Sequence, residues 1–414
     1  MTLQRIVCLL AALAIATTAS ATAASRRQPP ALLDRPTAAG TTAAQSSSLE
    51  HVAQVEYSGG SDFEFATLAG RRYAFAGRLN APVQVIDISV PHQPRVVAQV
   101  PCWLNQNDVQ IRGTTLVMAA DSRGTCVMSD GSSRQFIGFA TADVSDPLNP
   151  RVIGIANVPR GAHNVTLHPG GRYVYVSNAD LSGVKAYIHI WDIADPAQPR
   201  LVQNWFYMPG TQPHDITFSA DGRRAYVAAI GHTDIVNTED PERPVLVTTL
   251  AHPEIEISHQ ADPTPDGRYL LVSDEVGGGV VGPACPGGGI HVYDISVEQA
   301  PVKVGVFWAD PTYVREGVRQ GCTSHVFRIN PDGRTLAVAW YTAGVHVIDF
   351  GDLLRVGAAG TGAATGAGAR TIASHKPANA DTWAAKMWPE AFPGYVFAND
   401  MSRGFDVYRL TPAA

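Results

Sequence analysis

HNVTLHPGGRYVYVSN (residues 163–178), followed by YIHIWDIADPAQP (residues 187–199), is the stretch that decides the fold. Two apolar runs flank a Pro-Gly-Gly turn signal. A third run leads into Asp192 and a turn closed by Pro199, after which RLVQNWF (200–206) begins a fourth. Short runs of β-branched and aromatic residues, bounded by Gly, Pro and Asp, read as strands joined by tight turns. The unit is therefore four strands long: inner, second, third and outer.

Both halves of this unit recur. The first half returns as HDITFSADGRRAYVAA from His214, HQADPTPDGRYLLVSD from His259 and HVFRINPDGRTLAVAW from His325. The second half appears as VQVIDISVPHQP (83–94), IGFATADVSDPLNP (137–150), IHVYDISVEQAP (290–301), and in decayed form as DIVNTEDPERP (234–244) and VHVIDF (345–350). The recurring Asp87, Asp143, Asp192, Asp294 and Asp349 each head a turn, where an Asp side chain holds backbone amides. Aligned inner strands start at Ser61, Asn107, His163, His214, His259, His325 and Trp383, with spacings of 46, 56, 51, 45, 66 and 58 residues. Seven four-stranded units of this length predict an all-β, seven-bladed β-propeller over residues 49–411. The last unit has only three strands before the chain ends. HVAQVEY (51–57) resembles the outer strand VVAQVP (96–101), so the N-terminal strand should complete the last blade and remove an open sheet edge. The Gly/Ala-rich stretch 357–369 reads as a mobile insertion in blade six.

These VIDIS…P…LV units resemble the LVIVD-repeat proteins, a secreted or surface-associated group of predicted propellers. The resemblance spans roughly residues 50–410. It implies the fold strongly and an activity hardly at all, since one propeller fold hosts many functions.

The 414 residues are 45% hydrophobic and 16% charged, which excludes global disorder. A net charge of −6, without a basic stripe, argues against nucleic acid as a partner. Arg5, the apolar run 6–16 and the small residues around Ala21–Ala24 read as a signal peptide over residues 1–24, followed by an Ala/Ser/Thr/Pro-rich linker over 25–48. The mature protein is thus expected outside the cytoplasm, without membrane insertion, as a monomer. Of the five cysteines, Cys8 lies in the apolar leader. In an oxidising compartment the other four should pair. Cys102 and Cys126 fall in neighbouring loops of blade two, and Cys285 and Cys322 in the corresponding loops of blades five and six. Of three connectivities, Cys102–Cys126 with Cys285–Cys322 needs no crossing of the channel.

Four consecutive blades place histidine at the head of the inner strand, at the top mouth of the central channel: His163, His214, His259 and His325. Neutral imidazole suits Cu, Fe and Zn. The arrangement resembles, in architecture alone, the four-histidine iron site on the axis of the carotenoid oxygenase propeller. More loosely, it resembles the propellers of selenium-binding protein and methanethiol oxidase. Two other readings stand beside a metal site: a metal-free polar channel or anion site, and a relic of repeat ancestry. Ancestry also explains the third-strand His189, His291 and His346. Around the ring, Glu254, Glu256, Asp215, Asp274, Glu275, His232, Asn107 and Trp383 are candidate supporting or pocket residues, each also readable as an ordinary loop residue. Glu256 is the carboxylate expected to balance the ion's charge. Arg315, Glu316, Trp340 and Tyr341 are placed at a pocket mouth. Proton competition should expel a bound ion as pH falls through the histidine range. No Walker loop, HExxH or G-x-S-x-G element occurs. Two functions follow: a metal-dependent enzyme acting on a small molecule, or a binding scaffold for an extracellular protein, glycan or cell-wall partner.

Overall fold

Second and third strands of the repeat are apolar at nearly every position, whereas outer strands begin polar. Tyr173–Ser177 and Ile188–Asp192 are buried throughout, while Arg200–Trp205 opens on exposed residues. A strand covered on both faces reads as a continuous apolar run, which is what a sheet wedged between two neighbouring sheets requires. The computed structural model describes residues 49–178, 187–205, 212–279, 287–309, 321–358, 364–365 and 368–411. It shows seven antiparallel sheets arranged as a seven-bladed β-propeller. The inner strands are Gly60–Leu68, Cys102–Arg112, Asn164–Leu167, Asp215–Phe218, Ser258–Pro263, Phe327–Ile329 and Thr382–Met387. The hydrophobic core is a ring of clusters, each shared by two adjacent blades. Phe75, Val85, Val109 and Met118 join blades one and two, and Phe63, Ile86, Phe397 and Phe405 join blades one and seven.

The hairpin turns predicted between inner and second strands are present. Gly171, Gly222, Gly267 and Gly333 have φ of 79°, 72°, 69° and 65°, and their amides bond the carbonyl three residues earlier. A Cβ-bearing residue would be strained there. The recurring Asp does what the sequence demands. Asp87, Asp143, Asp192, Asp294 and Asp349 accept the amides of Ser89, Ser145, Ala194, Ser296 and Gly351 at 2.8–3.0 Å. Arginines add a second hold: Arg172 and Arg200 both bond Asp192, and Arg172 leads in keeping its carboxyl far below the usual range. The sequence had shown this position only as a turn. The arginines come from the start of the second strand and the start of the outer strand, and meet at the Asp once the sheet has formed.

Leu49–Glu56 pairs antiparallel with Gly404–Leu410 along its length and closes blade seven. Of the Gly/Ala-rich stretch 357–369, residues 357–358, 364–365 and 368–369 are described. A helix, Gly351–Ala358, follows the third strand of blade six and overlaps the first two residues of that stretch. Ala364–Thr365 pairs in parallel with the outer strand of blade five as a fifth strand. Leu353 of the helix is fully buried in the core shared by blades five and six, and Ala369 packs against the same core.

Cys102 and Cys126 are disulfide-bonded. They lie opposite one another in strands rather than loops, because the first two strands of blade two, Cys102–Arg112 and Thr115–Val127, extend beyond those of the other blades. Cys322 is also disulfide-bonded; Cys285, its expected partner, lies outside the described residues. Replacing Cys102 and Cys126 by Ser should lower stability by about 3 kcal/mol, from the unfolded-chain entropy of a loop of this length. A denaturant melt checks this, and an unchanged midpoint would show the bridge to be inert.

Candidate metal centre

Each ring histidine is set by the backbone before its side chain is considered. The amides of His163, His214 and His325 bond the carbonyls of Ser177, Ala228 and Ala339, at or near the end of the second strand of the same blade. His163 and His214 therefore sit one residue ahead of the inner strand and His325 two, while His259 is the second residue of Ser258–Pro263. The four imidazoles form a continuous arc, with successive ring centroids 4.4, 4.3 and 4.1 Å apart. His214, His259 and His325 are buried, and His163 is the most open of the four.

Hydrogen bonding fixes the ring orientation. His214 Nδ1 faces the carbonyl of His259 at 3.1 Å, and His325 Nδ1 faces the carbonyl of Trp383 at 2.6 Å. A carbonyl only accepts, so both Nδ1 atoms carry the proton and both Nε2 atoms present a lone pair. His163 Nδ1 stands 3.5 Å from Asp121 Oδ2, another acceptor, while the Gln106 amide nitrogen approaches His163 Nε2 at 3.4 Å. His163 Nε2 and His214 Nε2 face each other 2.9 Å apart, a separation filled either by an Nε2–H of His163 donating to His214 or by one cation shared between two lone pairs. Two nitrogens each about 2.1 Å from one ion, at right angles, stand about 3 Å apart. Backbone carbonyls and carboxylates are also the usual partners of the far nitrogen of a metal-bound imidazole.

Glu275, buried at the end of the second strand of blade five, supplies the carboxylate. Its Oε2 lies 3.8 Å from His259 Nε2, and its Oε1 lies 3.6 Å from His325 Nε2. Donor atoms of His214, His259 and Glu275 all fall within 4.8 Å of one another, a group able to hold a metal ion. Burial pushes Glu275 up to about 7, against the hydrogen bond donated by the Tyr341 hydroxyl. Burial also holds His214 and His259 well below the ordinary imidazole range and His325 down at about 3. These three imidazoles are thus harder to protonate than an exposed histidine.

Other candidates have different duties. Glu256 is exposed and accepts the Gly277 amide, so the carboxylate beside the imidazoles is Glu275 and not Glu256. Glu254 pairs with Lys303 and Tyr293 in the outer part of blades four and five. Asp274 accepts the amides of Glu256 and Ile257 and shapes the loop entering blade five. His232 pairs with Asp234 of its own strand. Asn107, at φ 68°, is buried and donates to the carbonyls of Arg78 and Ala81. Asp215 accepts from Asn164 on the neighbouring inner strand. Trp383 packs edge-on against His325 at 4.7 Å. Tyr341 reaches the site, but Trp340 is enclosed in the core between blades five and six. Arg315 and Glu316 lie outside the described residues. Among the third-strand histidines, His189 bonds Asn204 and His346 bonds the Ala343 carbonyl, both away from the ring. Asp121 and Gln106 were not foreseen. They belong to the tall hairpin of blade two, whose extra length is visible in the sequence only as the 56-residue spacing to His163.

Fold and site together define a seven-bladed β-propeller protein with an imidazole-rich axial centre. The chain matches no protein-family model and no curated protein. Solved structures share its fold at low identity. A hydrazine synthase of Kuenenia stuttgartiensis is 13% identical, covering 87% of this chain and 98% of that one, with a TM-score of 0.61. The Cps50 (Swd1) β-propeller domain of Myceliophteria thermophila is 11% identical, covering 88% and 100%, with a TM-score of 0.59. The periplasmic gluconolactonase PpgL of Pseudomonas aeruginosa is 13% identical, covering 80% and 93%, with a TM-score of 0.51.

Proposed function

We propose that the top of the channel is a metal centre held by His163, His214, His259, His325 and Glu275, serving a metal-dependent reaction on a small molecule. The observation that carries this reading is the pair of Nε2 atoms of His163 and His214, 2.9 Å apart, beside a buried His-His-Glu donor group. The metal-free counterpart of this contact is an N–H···N bond from a neutral His163 to His214, so metal content decides between the two. Imidazole with one carboxylate suits Fe, Cu or Zn. One carboxylate also offsets half the charge of a divalent ion, a task that four neutral imidazoles leave undone. The leader-like first 24 residues and the Cys102–Cys126 bridge support an exported protein.

Elemental analysis of protein purified from its native compartment should find about one metal ion per chain. His214→Ala and His259→Ala should each weaken metal binding by about 100-fold or more, beyond what loss of an orienting partner costs. His291→Ala, on a third strand, should leave metal content unchanged. Ion at a hundred times its dissociation constant should stabilise the wild-type fold by about 2.7 kcal/mol. Protein that carries no metal and gains no thermal stability from Zn, Cu or Fe would sink this reading in favour of a binding scaffold.

A further inference from the structure

Tyr341 occupies the turn between the second strand (Thr335–Ala339) and third strand (Val345–Asp349) of blade six. Its φ is +38°, and the residue is only 3% exposed. The left-handed region is unfavourable for a bulky aromatic side chain, and strain of this kind persists only where surrounding contacts enforce it. Those contacts are present. The Tyr341 carbonyl accepts the amides of both Gly344 and Thr382, which pins the turn to the inner strand of blade seven. The ring packs 4.5 Å from His325 and 6.2 Å from Trp383. Held this way, the hydroxyl donates to Glu275 Oε1 at 2.7 Å.

Resting on the metal-centre reading, we infer that Tyr341 is a positioning residue that makes Glu275 a one-oxygen ligand. With Oε1 bound by the phenol, Oε2, on the side of His259, is the oxygen left for the ion. A carboxylate free to offer both oxygens would chelate and fill a second coordination position. The phenol therefore keeps one position open for water or a small molecule, the feature that separates a catalytic centre from a closed structural one. Blade six thus sets the coordination number of a centre whose carboxylate comes from blade five.

The test uses the full chain with Co(II) as the probe. Tyr341→Phe keeps the ring against His325 and Trp383 and removes only the donor. It should weaken Co(II) binding about 10–100-fold, the usual effect of losing a ligand's hydrogen-bond partner. Its visible absorption should also weaken and shift as Glu275 takes up both oxygens and the coordination number rises. In the Glu275→Gln background the same substitution should change neither affinity nor spectrum, because Tyr341 acts through that carboxylate. Tyr341→Asn, which tolerates a positive φ and cannot reach Glu275, repeats the measurement if Tyr341→Phe does not fold. A Tyr341→Phe protein with wild-type affinity and spectrum, or one whose effect persists without the Glu275 carboxylate, overturns the inference and leaves the metal centre standing. A wild-type protein that does not bind Co(II) removes both.

Discussion

Deleting residues 49–58 should abolish the folded monomer, whereas deleting residues 25–45 should leave its melting temperature unchanged. Leu49–Glu56 supplies the outer strand of blade seven, facing Gly404–Leu410 from Leu49–Leu410 to Glu56–Gly404. Leu49 is buried in the core between blades six and seven, and Val52, Ala53, Val55 and Tyr57 pack against that between blades seven and one. The strand also supplies His51 to the buried Asp406 at 2.7 Å and Gln54 to Arg403. Its removal leaves a sheet edge unpaired, a known route to aggregation. The summed loss approaches the whole margin of about 5–15 kcal/mol that holds a typical protein folded. Thermal melts and size-exclusion chromatography of the two deletions give the answer. Equal tolerance of both would remove the closure from the account of stability.

The second large effect is expected at Lys386, 4% exposed on the inner strand of blade seven. Its ammonium donates to the Phe63 carbonyl at 2.6 Å and lies 2.8 Å from both Asp62 and Glu64 of blade one. Arg328 of blade six bonds the same Glu64. This cluster links the first blade to the last two through the channel. Breaking a buried ion pair by removing one partner costs about 3–5 kcal/mol, because the other charge stays behind. Lys386→Met should therefore lower the melting temperature by about 4–7 °C at pH 7. The pH dependence has a definite sign. Burial alone would raise Glu64, but Arg328 and Lys386 override it and hold Glu64 at about 2. A depressed carboxyl contributes stability above its unfolded value near 4.5, and that contribution is lost as pH falls from there towards 2. Without Lys386, the carboxyls of Asp62 and Glu64 take up protons at higher pH in the folded state, so the variant's deficit should shrink between pH 7 and pH 4.5. A deficit that stays constant over that range would show the loss to be one of packing rather than charge.

Sequence by itself determined what repeats and what is local. Strand order, blade count, hairpin glycines, the amide-binding Asp and the histidine at four inner-strand heads all follow from spacings of a few residues inside a unit seen several times. N-terminal closure followed too, because 51–57 repeats the outer-strand pattern at the far end of the chain. The tertiary structure decided everything that depends on three blades meeting at one point. Glu275 stands 50 residues from His325 and 66 from Tyr341 in the next blade, and no local pattern says which of Glu254, Glu256, Asp274 and Glu275 turns toward the axis. Glu256 differs from Glu275 by exposure alone: one faces solvent and an amide, the other is enclosed with two imidazoles and a phenol. Imidazole tautomers likewise depend on carbonyls from the next blade, as with His325 and Trp383. Pairing register is written in a period of two residues, which a chain displays along its length. Convergence on an axis is a property of the closed ring, and exists only once the last blade has met the first.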